Sequence, residues 1–210
     1  MNILKVLSAG GVLALSVGAA NAATYYATDV IASDPGFCDT TRDGGACSKP
    51  SRYNPDNAKG APDGRFYSLG LTTYNDDGSV DDEGSITLGF GTTFPTQQDV
   101  SVWEVTYNIS PTSRHREAVD VYAIMGGVET LLGRLTNLNG GGKVLAGMGF
   151  EYIKLVDATL NEFGRSGTTS FDGFDVDSVS VAPVPLPAAG LMLLAGLGGF
   201  GVMRRRQKKA

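Results

Sequence analysis

Apolar and polar side chains alternate over Ser85–Phe90, which puts Ile86, Leu88 and Phe90 on one face, and again over Val100–Ile109, which groups Trp103, Val105, Tyr107 and Ile109. A period of two built from β-branched and aromatic residues predicts strands. The same reading predicts strands at Tyr25–Ile31, Phe66–Leu71, Ala118–Met125, Thr130–Leu135, Glu151–Val156 and Asp175–Val181, separated by turns such as Asn75-Asp76-Asp77-Gly78 and Asn137 to Gly142. A helix-like start at Leu131-Leu132 is cut off by Gly126, Gly127 and Gly133. Eight such strands with no helix between the chain's two ends predict an all-β fold, an antiparallel β-sandwich of two sheets. Within it, Trp103 and Tyr107 share a face with Val105 and Ile109 and are expected in the core. No repeat of fixed period is present, which argues against a solenoid or propeller.

Two apolar segments flank this pattern without sharing its period. Met1 to Ala22 carries Lys5, an apolar stretch from Val6 to Val17 and the small-residue site Ala20-Asn21-Ala22, the parts of a secretory signal peptide. At the other end Val184-Pro185-Leu186-Pro187-Ala188 leads into an apolar run to Met203, followed by Arg204, Arg205, Arg206, Lys208 and Lys209. An apolar run that stops at a cationic cluster reads as a transmembrane segment with a cytoplasmic end. Its 16 residues from Ala188 to Met203 span only ~24 Å of a ~30 Å hydrocarbon core. Five of them are Gly, which weakens helix and hydropathy alike and suits a transient signal. A plain retained anchor is the alternative.

This tail resembles the VPLPA-CTERM form of the PEP-CTERM sorting domain. The resemblance implies recognition by an exosortase-type membrane protease while the C-terminal helix holds the chain in the inner membrane. It further implies removal of that helix and delivery to the cell surface or extracellular matrix of a Gram-negative bacterium. The chain then divides into a signal peptide (1–22), an ectodomain (23–181) and a sorting signal (182–210).

Charge changes once the ends are set apart. Of the 17 Lys and Arg, Lys5 and the five tail cations lie outside the ectodomain, leaving eleven against 22 Asp and Glu and a formal charge of −11. A surface of that sign repels phosphate backbones, so nucleic-acid binding is disfavoured and divalent cations are favoured. In an oxidising compartment Cys38 and Cys47 are expected to form a disulfide; with no further thiol, a zinc site is not.

Candidate chemistry is sparse. The single histidine, His115, lies between Arg114 and Arg116 and is expected in an exposed loop, which leaves no multi-His metal site and a single possible base for a Ser-His-Asp triad. Gly140-Gly141-Gly142-Lys143 lacks the spacing of a P-loop. Asp172, Asp175 and Asp177 place three oxygen donors at a turn-to-strand junction, and Asp63 adds another on a carbonyl-rich loop. They are candidate ligands for Ca²⁺, the alternative being a solvated acidic turn. Tyr53, Tyr67 and Tyr74, in turn-rich segments, are candidate platforms for sugar stacking.

The ordered blocks Asn57 to Gly64, Tyr67-Ser68-Leu69-Gly70, Ile86 to Phe90, Trp103-Glu104-Val105 and Asp172 to Asp177 resemble uncharacterised extracellular domains joined to this type of tail. Those domains are similar to jelly-roll carbohydrate-binding modules of the galactose-binding-like type. The acidic insertion Asp76 to Glu83 and the Cys-closed loop depart from such a module. The expected function is a structural or carbohydrate-associated binding role outside the cell, with extracellular polysaccharide as partner and no catalytic residue assigned. A polysaccharide hydrolase using a carboxylate pair and a purely structural adhesion protein are the alternatives.

Overall fold

The computed structural model describes residues 23–105 and 113–184. Its strands are β1 (Tyr25–Tyr26), β2 (Asp29–Pro35), β3 (Tyr67–Ser68), β4 (Gly84–Phe94), β5 (Gln98–Glu104), β6 (Ala118–Met125), β7 (Val128–Thr136), β8 (Gly141–Ala146), β9 (Phe150–Asp157) and β10 (Asp175–Pro183). They form two five-stranded antiparallel sheets. The first runs β1-β10-β5-β8 with β3 also on β10, and the second runs β2-β4-β9-β6-β7. Ile86 and Leu88 from β4, Val119, Val121 and Ala123 from β6, and Ile153 and Leu155 from β9 face Val100 and Val102 from β5 and Val176, Val179 and Val181 from β10 across one core. Alternation along the strands therefore builds the sandwich interior.

Most predicted strands fall inside observed ones, β6 with the same bounds. Tyr25–Ile31 is instead split: β1 pairs with β10 in the first sheet, while β2 pairs with β4 in the second. Phe66–Leu71 contributes only the two residues of β3. β8, not predicted as a strand and with its first two residues in a predicted turn cluster, pairs with β5 from Gln98↔Ala146 to Trp103↔Gly141. The face assignment on β5 is corrected as well: Val100 and Val102 are the core residues, and Trp103 lies half-buried against Tyr26 with ring centroids 6.1 Å apart. Tyr107 and Ile109 lie outside the described residues, as do the signal peptide, Pro185 to Ala188 and the rest of the tail.

A helix that the pattern did not predict, α1 (Thr159–Gly167), follows β9 and is kinked at Gly164, where φ is 65° and ψ 167°. Its low apolar content hid it. It stands where the chain passes from the second sheet back to the first, at the end of the sandwich that gathers the long loops.

Candidate functional site

The end of the sandwich reached by the C-terminal ends of β5 and β9 and the starts of β6 and β10 is held together by polar side chains. Asp157, at the end of β9, is buried and accepts hydrogen bonds from the backbone N–H of Thr72 (3.0 Å), Thr159 (3.3 Å) and Phe174 (3.2 Å) and from the Thr159 hydroxyl (2.6 Å). One carboxyl thus ties the loop before β4, the start of α1 and the loop before β10 to a single point. Gly173, at φ +71°, lets this loop close: a Cβ there would stand 2.5 Å from the Gly70 carbonyl and 2.7 Å from Asp157 Oδ1. Burial pushes Asp157 up to about 7, although its donors favour the charged form.

Beside it lies a cluster of enclosed acids. Arg52 donates through Nε to Asp172 Oδ2 at 2.7 Å and through Nη2 to Asp175 Oδ2 at 3.2 Å, and the Ser68 hydroxyl donates to Asp175 Oδ1 at 2.5 Å. Phe66 and Phe171 flank the guanidinium at 4.8 and 5.7 Å from their ring centres, a desolvated cation–π arrangement. Glu117 accepts from Ser170 Oγ (2.8 Å) and Asn137 Nδ2 (3.2 Å) and pairs with His115 Nε2 at 2.9 Å. The hydrogen bond to Glu117 raises the His115 pKa against the opposing effect of burial. His115 is therefore a half-buried partner of an acid, not the exposed loop residue its neighbours implied.

Glu104 faces the same enclosure, and neither of its buried carboxyl oxygens has a donor. Burial first, then the charges of Glu117 and Asp175, push it up to about 10. A proton on Glu104 supplies the missing donor, because it can be shared with Glu117. Desolvation also raises Asp175, with the neighbouring charges of Glu117 and Asp172 adding to it and Arg52 opposing.

Outside this braced interior an open groove of about 490 Å³ is lined by Arg42, Arg114, Arg165, Ser166, Thr168 and Thr169. Asp39 is set between two of the arginines, 3.6 Å from Arg42 Nε and 3.3 Å from Arg165 Nη1. The Cys38–Cys47 disulfide closes the loop that carries Asp39 and Arg42, with a Cα–Cα separation of 6.0 Å. Phe37 lies against the Arg165 guanidinium at 5.9 Å and remains 37% exposed. A second hollow of about 410 Å³, lined by β2, β4 and β9 residues including Ile31, Gly91 and Tyr152, carries no comparable charge cluster.

The residues singled out in the sequence separate on the structure. Asp172 and Asp175 come together on Arg52 and Ser68, whereas Asp177 accepts from the backbone N–H of Asp63 and Gly64 at 3.0 and 3.2 Å, and Asp63 pairs with Arg65 at 2.7 Å. A calcium ion held by all four would have to displace an arginine and two backbone amides. Among the described residues, no group of three or more His, Cys, Asp and Glu side chains is disposed to hold a metal ion. Of the tyrosines, Tyr67 is 1% exposed and presents no face to a ligand, Tyr53 donates its hydroxyl to Cys38 Sγ at 2.9 Å, and Tyr74 is 43% exposed on the acidic hairpin. Glu104, Glu117 and the three groove arginines had no sequence signal, since nothing in their spacing links them.

Comparison with protein-family models finds no match, and comparison with curated proteins finds none either. Among solved structures the chain is similar to GH31 CBM32-2 bound to GalNAc, at 14% identity over 52% of this chain and 71% of that one, with a TM-score of 0.33. At that score the likeness carries no argument, and the functional reading rests on this chain's own residues.

Proposed function

We propose that this is an exported protein of the cell surface or extracellular matrix that binds polysaccharide through the loop end of a galactose-binding-like sandwich. The observation that carries the reading is the open groove between Arg42, Arg114 and Arg165, bordered by Ser166 and Thr169, with the part-exposed Phe37 against the Arg165 guanidinium. Guanidinium and hydroxyl donors beside an aromatic face match the hydroxyl edges and C–H faces of a sugar. Loops pinned by Asp157 and by a disulfide hold these groups in place before binding, which lowers the entropic cost of association. Export and sorting rest on the signal peptide and on the Val184-Pro185-Leu186-Pro187-Ala188 motif, with an exosortase-type protease as partner.

The test is retention of the full chain on an array of bacterial polysaccharides, with release of reducing sugar measured in parallel. Retention without release is the expected result. A folded chain that no polysaccharide retains would leave a purely structural role. Release of reducing ends would favour the hydrolase reading, for which the raised Glu104 beside Glu117 supplies an acid and a carboxylate.

A further inference from the structure

We propose that the groove selects acidic polysaccharide, taking the carboxylate of a hexuronate residue on Arg114 and Arg165; this rests on the polysaccharide-binding reading above and names its ligand class. The ectodomain is strongly acidic, yet the groove gathers three exposed arginines, two of which share one carboxylate, Asp39. Asp39 offsets a single charge between Arg42 and Arg165, so the lining keeps a net positive charge. Like charges assembled around a hollow repel one another, and an anion that enters relieves that repulsion. Arg114 is the least compensated of the three among the described residues: it is exposed, and its Nη2 donates to the Ser166 carbonyl at 3.2 Å with no carboxylate in an ion pair with it.

The geometry also explains why the arginines stay in place. The Thr41 hydroxyl, donating to Asp39 at 2.6 Å, and the two guanidiniums hold Asp39 charged below the usual carboxylate range, which fixes the bridge between Arg42 and Arg165. Thr169 N–H donates to the Arg114 carbonyl at 2.7 Å and locks that backbone to the loop after α1. Planar guanidinium forks presented this way suit the two oxygens of a carboxylate. The exposed hydroxyls of Ser166 and Thr169, with Phe37 nearby, favour a sugar as the carrier of that carboxylate over a bare anion. Attraction must act at short range, because the surrounding domain repels a polyanion and screening confines either field to ~8 Å at physiological salt.

The full chain should bind polygalacturonate in the presence of a chelator, and fully methyl-esterified polygalacturonate, identical except for its charge, at least about tenfold more weakly. Arg114→Gln should lower the affinity for the acidic polymer about tenfold at unchanged melting temperature, and Arg42→Gln should act in the same direction if loop packing confounds the first variant. Equal binding of acidic and esterified polymers would overturn the inference and leave the polysaccharide reading standing. Binding abolished by the chelator would assign the attraction to metal bridges on the acidic surface instead. If inorganic phosphate at millimolar concentration, or vesicles with anionic headgroups, bind as tightly as the uronate polymer, the groove is a general anion site. If neither polymer nor any other polysaccharide is retained, both readings fail together.

Discussion

Glu104, Glu117, Asp172 and Asp175 surround the guanidinium of Arg52 and the imidazole of His115 in an enclosure where charge balance requires protons on some of the acids. Glu104 is pushed up to about 10 and Asp157 to about 7, while Asp172, Asp175 and His115 are all raised. A group that binds its proton more tightly folded than unfolded contributes stability that is complete below its unfolded pKa and lost as pH rises through the folded one. Every shift in this interior has that sign. The lowered pKa values belong to Asp39, Asp43, Asp63 and Asp77, which lie toward the surface and lose their contribution only as pH falls through the acid range. The melting temperature should therefore peak at mildly acid pH and decline through neutrality toward about pH 10, a window set by Asp157 and Glu104. Glu104→Gln keeps the shape and removes one of these ionisations, so its profile should fall less steeply above the Asp157 value, the remaining slope belonging to the raised Asp175 and its neighbours. Thermal melts of both chains from pH 5 to pH 9 check this, and parallel slopes would contradict the assignment to Glu104.

At the scale of elements, the Cys38–Cys47 bridge closes a short loop that places Asp39 and Arg42 against Arg165 on α1. In the loop-entropy model such a closure contributes about 2–3 kcal/mol. Replacing both cysteines with serine should lower the melting temperature by several degrees and weaken polysaccharide retention by more than the stability loss explains, because Arg42 is no longer held at the groove. Unchanged retention would detach the bridge from binding. The bridge was legible in the sequence because two cysteines allow one pairing and the expected export places them in an oxidising compartment. The strands β4, β6, β9 and β10 were legible because a period of two survives wherever one face is buried. β8 was not, because Gly141 and Gly142 imitate a turn; a Cβ on Gly141 would collide with the Val102 carbonyl, so the glycine reflects close strand approach. α1 was hidden by Gly164 and by its few apolar residues. The groove was invisible for another reason: Arg42, Arg114 and Arg165 are far apart in sequence, and only tertiary contacts bring them together, Asp39 bridging Arg42 to Arg165 and the Thr169 N–H holding the Arg114 carbonyl.

For the whole molecule, the proposed binding and sorting roles make opposite ends of the sandwich matter. The groove opens among loops at one end of the sheets, whereas β10 runs from Asp175 at that end to Pro183 at the other, so the chain enters its C-terminal segment from the pole opposite the groove. If the chain is sorted as proposed, a tether leaving there would point the groove away from the membrane, and its removal would leave the pairing of β10 with β5, which runs from Ser178 to Pro183 without interruption, outside the segment cut. The proposed processing would then leave the fold of the ectodomain intact. In a host with the matching exosortase, surface material should yield peptides from the ectodomain and none from Leu191 onward by mass spectrometry. Changing Pro185 and Pro187 to alanine should keep the intact tail in the membrane fraction without altering the melting temperature of the sandwich. Intact tail recovered from wild-type surface material would make the segment an ordinary anchor. The groove would then stay held at the membrane rather than be released into the matrix.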